Sequence, residues 1–101
     1  MPKGYIIARI DVTDPQAYEQ YRLANAVPFA KYKARFLVRG GTATVKEGTG
    51  RSRNVVIEFD SYATALACYD SPEYAAAIAL RTGASEGEVV VVEGYDGPQP
   101  A

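Results

Sequence analysis

The stretch Gly4-Tyr5-Ile6-Ile7-Ala8-Arg9-Ile10-Asp11-Val12-Thr13-Asp14-Pro15 holds a strand and the start of a helix in one short run. Isoleucine-rich alternation over Tyr5–Val12, bounded by Gly4 and by Thr13-Asp14-Pro15, predicts a β-strand. Asp14 or Thr13 can accept a hydrogen bond from the open amides of a following helix, and Pro15, which has no amide to satisfy, suits its first turn. That helix is expected to run to about Lys33. Working outward, Arg35–Arg39 reads as a second strand, Gly40-Gly41 as a bulge or bend, and Thr42–Glu47 as the strand's continuation into a Gly48-Thr49-Gly50 hairpin turn. Asn54–Phe59 is the third strand. Asp60-Ser61 opens a helix over Tyr62–Asp70, and Ser71 caps a further helix that has Pro72 in its first turn and reaches about Thr82. Gly83 suits a C-terminal cap, Glu88–Glu93 is the last strand, and Tyr95–Ala101, with Gly97, Pro98 and Pro100, reads as a tail. The order β-α-β-β-α-β predicts an α+β fold of ferredoxin-like plan, one domain over residues 1–101, with a four-stranded antiparallel sheet and its helices on one face.

The composition suits such a fold and removes much chemistry. The 101 residues are 48% hydrophobic and 23% charged, with 11 Lys+Arg against 12 Asp+Glu, one Cys, no His and no Trp. Without histidine there is no Ser-His-Asp or Cys-His arrangement, no His-ligated zinc and no His-ligated haem. A single Cys removes disulfide scaffolds and thiolate clusters within one chain. We therefore expect no metal and no cofactor. Near-neutral charge argues against a nucleic-acid or membrane-surface partner. No run of 18 apolar residues predicts a membrane span, and the N-terminal apolar run, interrupted by Arg9, is too short for a secretion signal, so a cytoplasmic location is expected.

Alternation along the strands sorts two faces. One carries Ile6, Ala8, Ile10, Val12, Phe36, Val38, Val55, Ile57, Phe59, Val90 and Val92, without a charge. The other carries Tyr5, Ile7, Arg9, Leu37, Arg39, Val56, Glu58, Val91 and Glu93. With the fourth, first, third and second strands side by side, its charges would read Glu93, Arg9, Glu58, Arg39, alternating in sign. That row is either a set of cross-strand pairs worth ~0.2–1 kcal/mol each or a wall of arginines, oriented by carboxylates, that recognises an anion. A sheet with two substantially apolar faces needs a cover on both. The chain's helices supply one, and a homodimer packed sheet to sheet is expected to supply the other.

The helices add further candidates. At 100° per residue Ala17, Tyr18, Tyr21, Ala24, Asn25, Pro28, Phe29 and Tyr32 share an arc, from which Gln16, Glu19, Gln20, Arg22 and Lys33 are excluded. Asn25 is a buried amide in an aromatic stripe, and unpaired it would cost ~1–3 kcal/mol. It either pairs with backbone freed by Pro28 or with a strand residue, or points into a helix–sheet pocket as a ligand donor or oxyanion stabiliser. Tyr62, Leu66 and Tyr69 share a face, as do Tyr74, Ile78 and Arg81; Arg81 either favours a helix C-terminus or turns inward beside Asn25 and Tyr69. Cys68, with Asp70 nearby and no histidine, reads as a structural residue. The segment Gly48-Thr49-Gly50-Arg51-Ser52-Arg53 lacks the Lys-Ser/Thr of a phosphate-binding loop and joins strands instead of opening a helix, so Lys46, Arg51 and Arg53 read as a solvated hairpin tip.

Taken together, Gly4-Tyr5-Ile6-Ile7-Ala8-Arg9-Ile10, Phe36-Leu37-Val38-Arg39-Gly40-Gly41, Val55-Val56-Ile57-Glu58-Phe59, Tyr69-Asp70-Ser71-Pro72-Glu73-Tyr74 and Val92-Glu93-Gly94-Tyr95-Asp96-Gly97 resemble a bacterial family, domain of unknown function 1330, over essentially the whole chain. That family falls in the dimeric α+β-barrel superfamily, which includes cofactor-free monooxygenases, lactone isomerases, haem-degrading enzymes and small regulatory ligand domains. The resemblance implies a homodimer of ferredoxin-like subunits. It implies no activity and no catalytic residues, because one fold hosts unrelated functions.

Three functions follow from these residues. The first is binding of a small polar or carboxylate metabolite in a helix–sheet pocket by Arg9, Asn25, Arg39, Glu58, Tyr69 and Arg81. A cofactor-free isomerase or monooxygenase is the second, with Glu58 or Glu93 as base, Tyr69 or Tyr5 as proton donor, and Asn25 and Arg39 stabilising an oxyanion; its carboxylate would need a pKa raised towards 7. The third is a dimerisation module in which every charge is merely paired.

Overall fold

The computed structural model describes residues 2–100; Met1 and Ala101, the two ends of the expected domain and tail, lie outside the described residues. Its elements are β1 (Gly4–Val12), α1 (Pro15–Ala24), α2 (Ala26–Lys31), β2 (Arg35–Arg39), β3 (Arg53–Phe59), α3 (Tyr62–Tyr69), α4 (Pro72–Arg81) and β4 (Ser85–Glu93). The strands form one antiparallel sheet in the order β2-β3-β1-β4, as the ferredoxin-like plan requires.

Local chemistry sets the helix boundaries. Asp14 accepts from the Ala17 amide, Ser61 from Thr64 and Ser71 from Tyr74, so each main helix starts on the side-chain cap its sequence offers. The expected long first helix is two. Pro28 lacks the amide that would pair with the Ala24 carbonyl; α1 stops at Ala24, and α2 resumes after Asn25, whose backbone stays near helical values (φ −68°, ψ −14°). Thr42–Glu47, expected to continue β2, is not a strand: residues 41–52 form an exposed loop. Its return is clasped where Asp11 accepts from the Ser52 amide (2.9 Å) and from Arg51 Nη1 (3.0 Å), while Arg51 Nη2 donates to Glu88 (2.5 Å).

The helices cover one face of the sheet. Phe59, Ile6, Ile57 and Ile10 are buried beneath them, and the Phe29 ring meets Phe36, Phe59 and Tyr74 at centroid distances of 5.6, 6.4 and 5.4 Å. Cys68 lies in this core, and burial pushes its thiol up to about 11, which suits a structural residue. The molecule is a slab of 45 × 34 × 16 Å, the thickness of one sheet and one layer of helices.

Register corrects the expected faces in two places. β4 begins at Ser85, and its partners Ile6↔Val91 and Ala8↔Val89 turn Val89 and Val91 towards the helices. Val90 (52% exposed) and Val92 therefore lie on the outer face with Ile7 and Val56, the reverse of the expected assignment. In β2 a bulge separates Phe36↔Ile57 from Val38↔Val56, which puts Val38 outward and brings Arg39, opposite Val55, onto the helix-facing side. The expected row Glu93, Arg9, Glu58, Arg39 therefore does not form. Glu93 sits opposite Gly4 and Arg9 opposite Glu88 and Asn54, while Glu58 is opposite Tyr5 and Arg35.

No helix among the described residues is long and apolar enough to cross a membrane.

Candidate functional site

Between the sheet and the pair α1–α4 lies a cleft walled by Ile6, Ile10, Val55 and Ile57 below and by Tyr18, Tyr21, Phe29 and Tyr74 above. It has about 430 Å³ of empty space counted to its open mouth, yet the centre of a water-sized sphere can range over only about 20 Å³. The cleft is a narrow slot.

Its polar groups come from four elements. Strand β3 begins at Arg53, in phase with Val55, Ile57 and Phe59, so that side chain also faces the helices. The bulge delivers Arg39 beside it, with the guanidinium carbon 4.0 Å from the Phe36 ring centroid. Helix α4 brings Arg81, 4.8 Å over the Tyr21 ring, and α1 brings Arg22, which pairs with Glu19 at 2.8 Å. Gly40 makes room for Arg53: a β-carbon there would collide with the guanidinium, and its φ of +71° disfavours any other residue.

Among the described residues no Asp or Glu lines the cleft. Among the described residues Arg39, Arg53 and Arg81 form no ion pair, whereas Arg22, Arg35 and Arg51 do. Cation–π contact with Phe36, Tyr18 and Tyr21 holds the three unpaired guanidinium groups instead. Such a group presents a planar fork suited to a carboxylate or phosphate.

Asn25 lies at the break between α1 and α2, is 5% exposed and lines the cleft. Its side chain makes no capping hydrogen bond to α2, and its Oδ1 is buried without a hydrogen-bond partner among the described residues. The amide instead acts on Tyr21, favouring that residue's ionised form. The Tyr21 and Tyr74 hydroxyls are 2.6 Å apart. Burial dominates both and raises their pKa values; Tyr74, Arg81 and Asn25 oppose the rise at Tyr21, whereas Tyr21 adds to it at Tyr74.

Of the residues named from sequence, the cleft joins Asn25, Arg39 and Arg81. Tyr69 stacks edge-on against Tyr74 at 5.1 Å and lines an adjoining, more open depression with Ile78 and Gly87, which shares Ile10, Arg81 and Val89 with the cleft. Arg9 and Glu58 are on the other side of the sheet. There Glu58 accepts from Arg35 Nε (2.9 Å) and the Tyr5 hydroxyl (3.1 Å). The Arg35 bond leads in holding its carboxyl below the ordinary range, opposite to the rise a general base needs. Glu93 is exposed at the end of β4, also outside the cleft.

Arg53, Arg22, Tyr21 and Tyr74 were not among the sequence candidates for the site. For Arg53 the signal was its period-two phase with the β3 core. Arg22 lies off the apolar arc of α1, and only the length of its side chain lets it reach the cleft's edge.

The family model described as domain of unknown function (DUF1330) matches residues 3–95. No curated protein matches the chain. Among solved structures, a protein of unknown function from Rhodopseudomonas palustris is similar at 13% identity and TM-score 0.74, over 95% of this chain and 85% of that one. SnoaB, a cofactor-independent oxygenase from Streptomyces nogalater, is similar at 13% identity and TM-score 0.61, over 99% and 97%. A dimeric ferredoxin-like protein of unknown function from Thermobifida fusca is 21% identical at TM-score 0.58, over 91% and 89%. At these identities the likeness is one of fold.

Proposed function

The chain belongs to the DUF1330 family, and from that premise we propose that it is a small-molecule-binding protein whose helix–sheet cleft takes a small carboxylate. The observation that carries this reading is the set Arg39, Arg53 and Arg81, converging on one slot that no acidic side chain lines. Uncompensated cations beside an apolar floor repel one another and are relieved by an anion, and a hydrogen bond to a charged partner contributes about 1.5–3 kcal/mol. Asn25 and the Tyr21–Tyr74 pair supply neutral hydrogen-bonding groups beside them.

Among the described residues the cleft holds no carboxylate base, and burial raises the pKa values of Tyr21 and Tyr74, so neither of these two is an effective base at neutral pH.

The protein is further proposed to act as a homodimer joined through the outer sheet face. Ile7, Val56, Val90, Val92 and the exposed Leu37 and Val38 leave that face apolar and without helices over it. The Thermobifida fusca neighbour, described as dimeric, supports the same reading.

The test of the cleft is thermal unfolding with acetate present, for the wild type and for Arg39→Ala and Arg81→Ala. Acetate should raise the wild-type Tm, and each substitution should weaken binding roughly tenfold. Equal stabilisation of all three proteins would remove these arginines from the site.

A further inference from the structure

The free interior of the cleft, about 20 Å³ for the centre of a water-sized sphere, is little more than a single water needs. It has room for a carboxylate head and not for the rest of a metabolite. The depression beside it shares Ile10, Arg81 and Val89 with the cleft, and there the same sphere ranges over about 350 Å³.

Strand β4 explains this hollow. Its register sets Ser85 opposite Val12, Gly87 opposite Ile10 and Val89 opposite Ala8, which places all three on the side of the sheet that the helices cover. Ser85 is small, and Gly87 has no side chain. A β-carbon at position 87 would run into the backbone carbonyl of Arg9, so the position stays bare. The first half of β4 therefore leaves its helix-facing side unfilled, next to the end of α4 at Arg81 and the turn through Thr82 and Gly83.

Charge narrows what the hollow takes. Among the described residues no Asp or Glu lines it, and Arg81 is its one charged member, so a cationic group on the ligand would find no partner there. Ile78 from α4, Val89 from β4 and Tyr69 from α3 offer apolar contact instead. Resting on the anion-site reading above, we infer that the ligand is a carboxylic acid with an uncharged aliphatic body, its carboxylate at the arginines of the cleft and its body in the depression beside β4. Tyr69 then contacts the body and not the carboxylate. Affinity rises with the length of the body, because each methylene fully removed from water contributes about a fourfold gain.

Titration of the wild type with acetate, butyrate and hexanoate, read as the concentration dependence of Tm, tests this. Hexanoate should bind roughly tenfold tighter than acetate, with butyrate between them. Ser85→Trp fills the depression from β4, and in that variant the preference for hexanoate should shrink to within about twofold. Circular dichroism checks that the variant is folded; should it fail to fold, Ile78→Ser, which removes apolar contact from α4, takes its place with the same expected loss. Acetate binding in an Arg39-dependent manner while hexanoate binds no tighter overturns this inference and leaves the anion site standing. A preference for hexanoate that persists undiminished in the folded variant also overturns it. If none of the three acids binds, or their binding ignores Arg39 and Arg81, both readings fall together.

Discussion

The hydroxyls of Tyr21 on α1 and Tyr74 on α4 meet at 2.6 Å inside the layer that joins the helices to the sheet. They are distant in sequence, so their bond ties the first half of the fold to the second.

Removing either hydroxyl should cost stability through the same interaction. Tyr21→Phe and Tyr74→Phe are each expected to lower the unfolding free energy by about 1 kcal/mol. The double variant should lose less than the sum, because the second substitution finds the bond already gone. Urea unfolding of the four proteins measures this, and strict additivity would show that the hydroxyls are not coupled.

A charge placed on the outer sheet face should separate the dimer without emptying the core. Val90 is 52% exposed in the single chain, so Val90→Glu removes little packing within it. Sedimentation velocity should show the wild type at twice the mass of the variant while far-UV circular dichroism stays unchanged. A wild type that sediments as a monomer would sink the pairing proposal.

Much of the architecture was legible in the sequence, and the failures have physical causes. Caps at Asp14, Ser61 and Ser71 and the prolines that follow two of them announce the helices unambiguously. The phase of β4 could not be read, because Val89-Val90-Val91-Val92 offers no alternation; only pairing with Ile6 and Ala8 decides which valines face inward. Arg39 was misplaced for a different reason. Gly40-Gly41 marked an irregularity in the strand, but the bulge falls earlier, between Phe36 and Val38. Arg53 was readable from its phase with Val55 and was hidden by the charged run Arg51-Ser52-Arg53, which reads as a turn.

Acid should act on stability through Glu58. The Arg35 bond lowers its folded pKa below the ordinary 4.5, so in that window the unfolded chain binds the proton more tightly. The contribution is fully present above the ordinary value and is lost as pH falls through the folded one. Glu58→Gln is expected to be less stable than wild type at neutral pH and to lose stability less steeply on acidification below about pH 4.5. Parallel acid limbs in a pH series of urea melts would exclude Glu58 as a contributor.

Loop 41–52 should open separately from the rest of the molecule. Its return is held chiefly by Arg51 and the Ser52 amide on Asp11 and Glu88. Arg51→Ala is expected to speed amide exchange across residues 41–52 while strands β1 and β3 keep their protection. Uniform acceleration throughout the sheet would mean that the clasp supports the whole fold.

The extra residue at Leu37 also has a genetic meaning. Side chains along a strand change sides with every residue, so loss of that single codon would leave a regular strand with Phe36 and Arg39 towards the helices and Val38 between them facing outward. The bulge in β2 is thus what a one-codon insertion leaves behind, lengthening the edge strand by an exposed leucine while Arg39 keeps its side of the sheet.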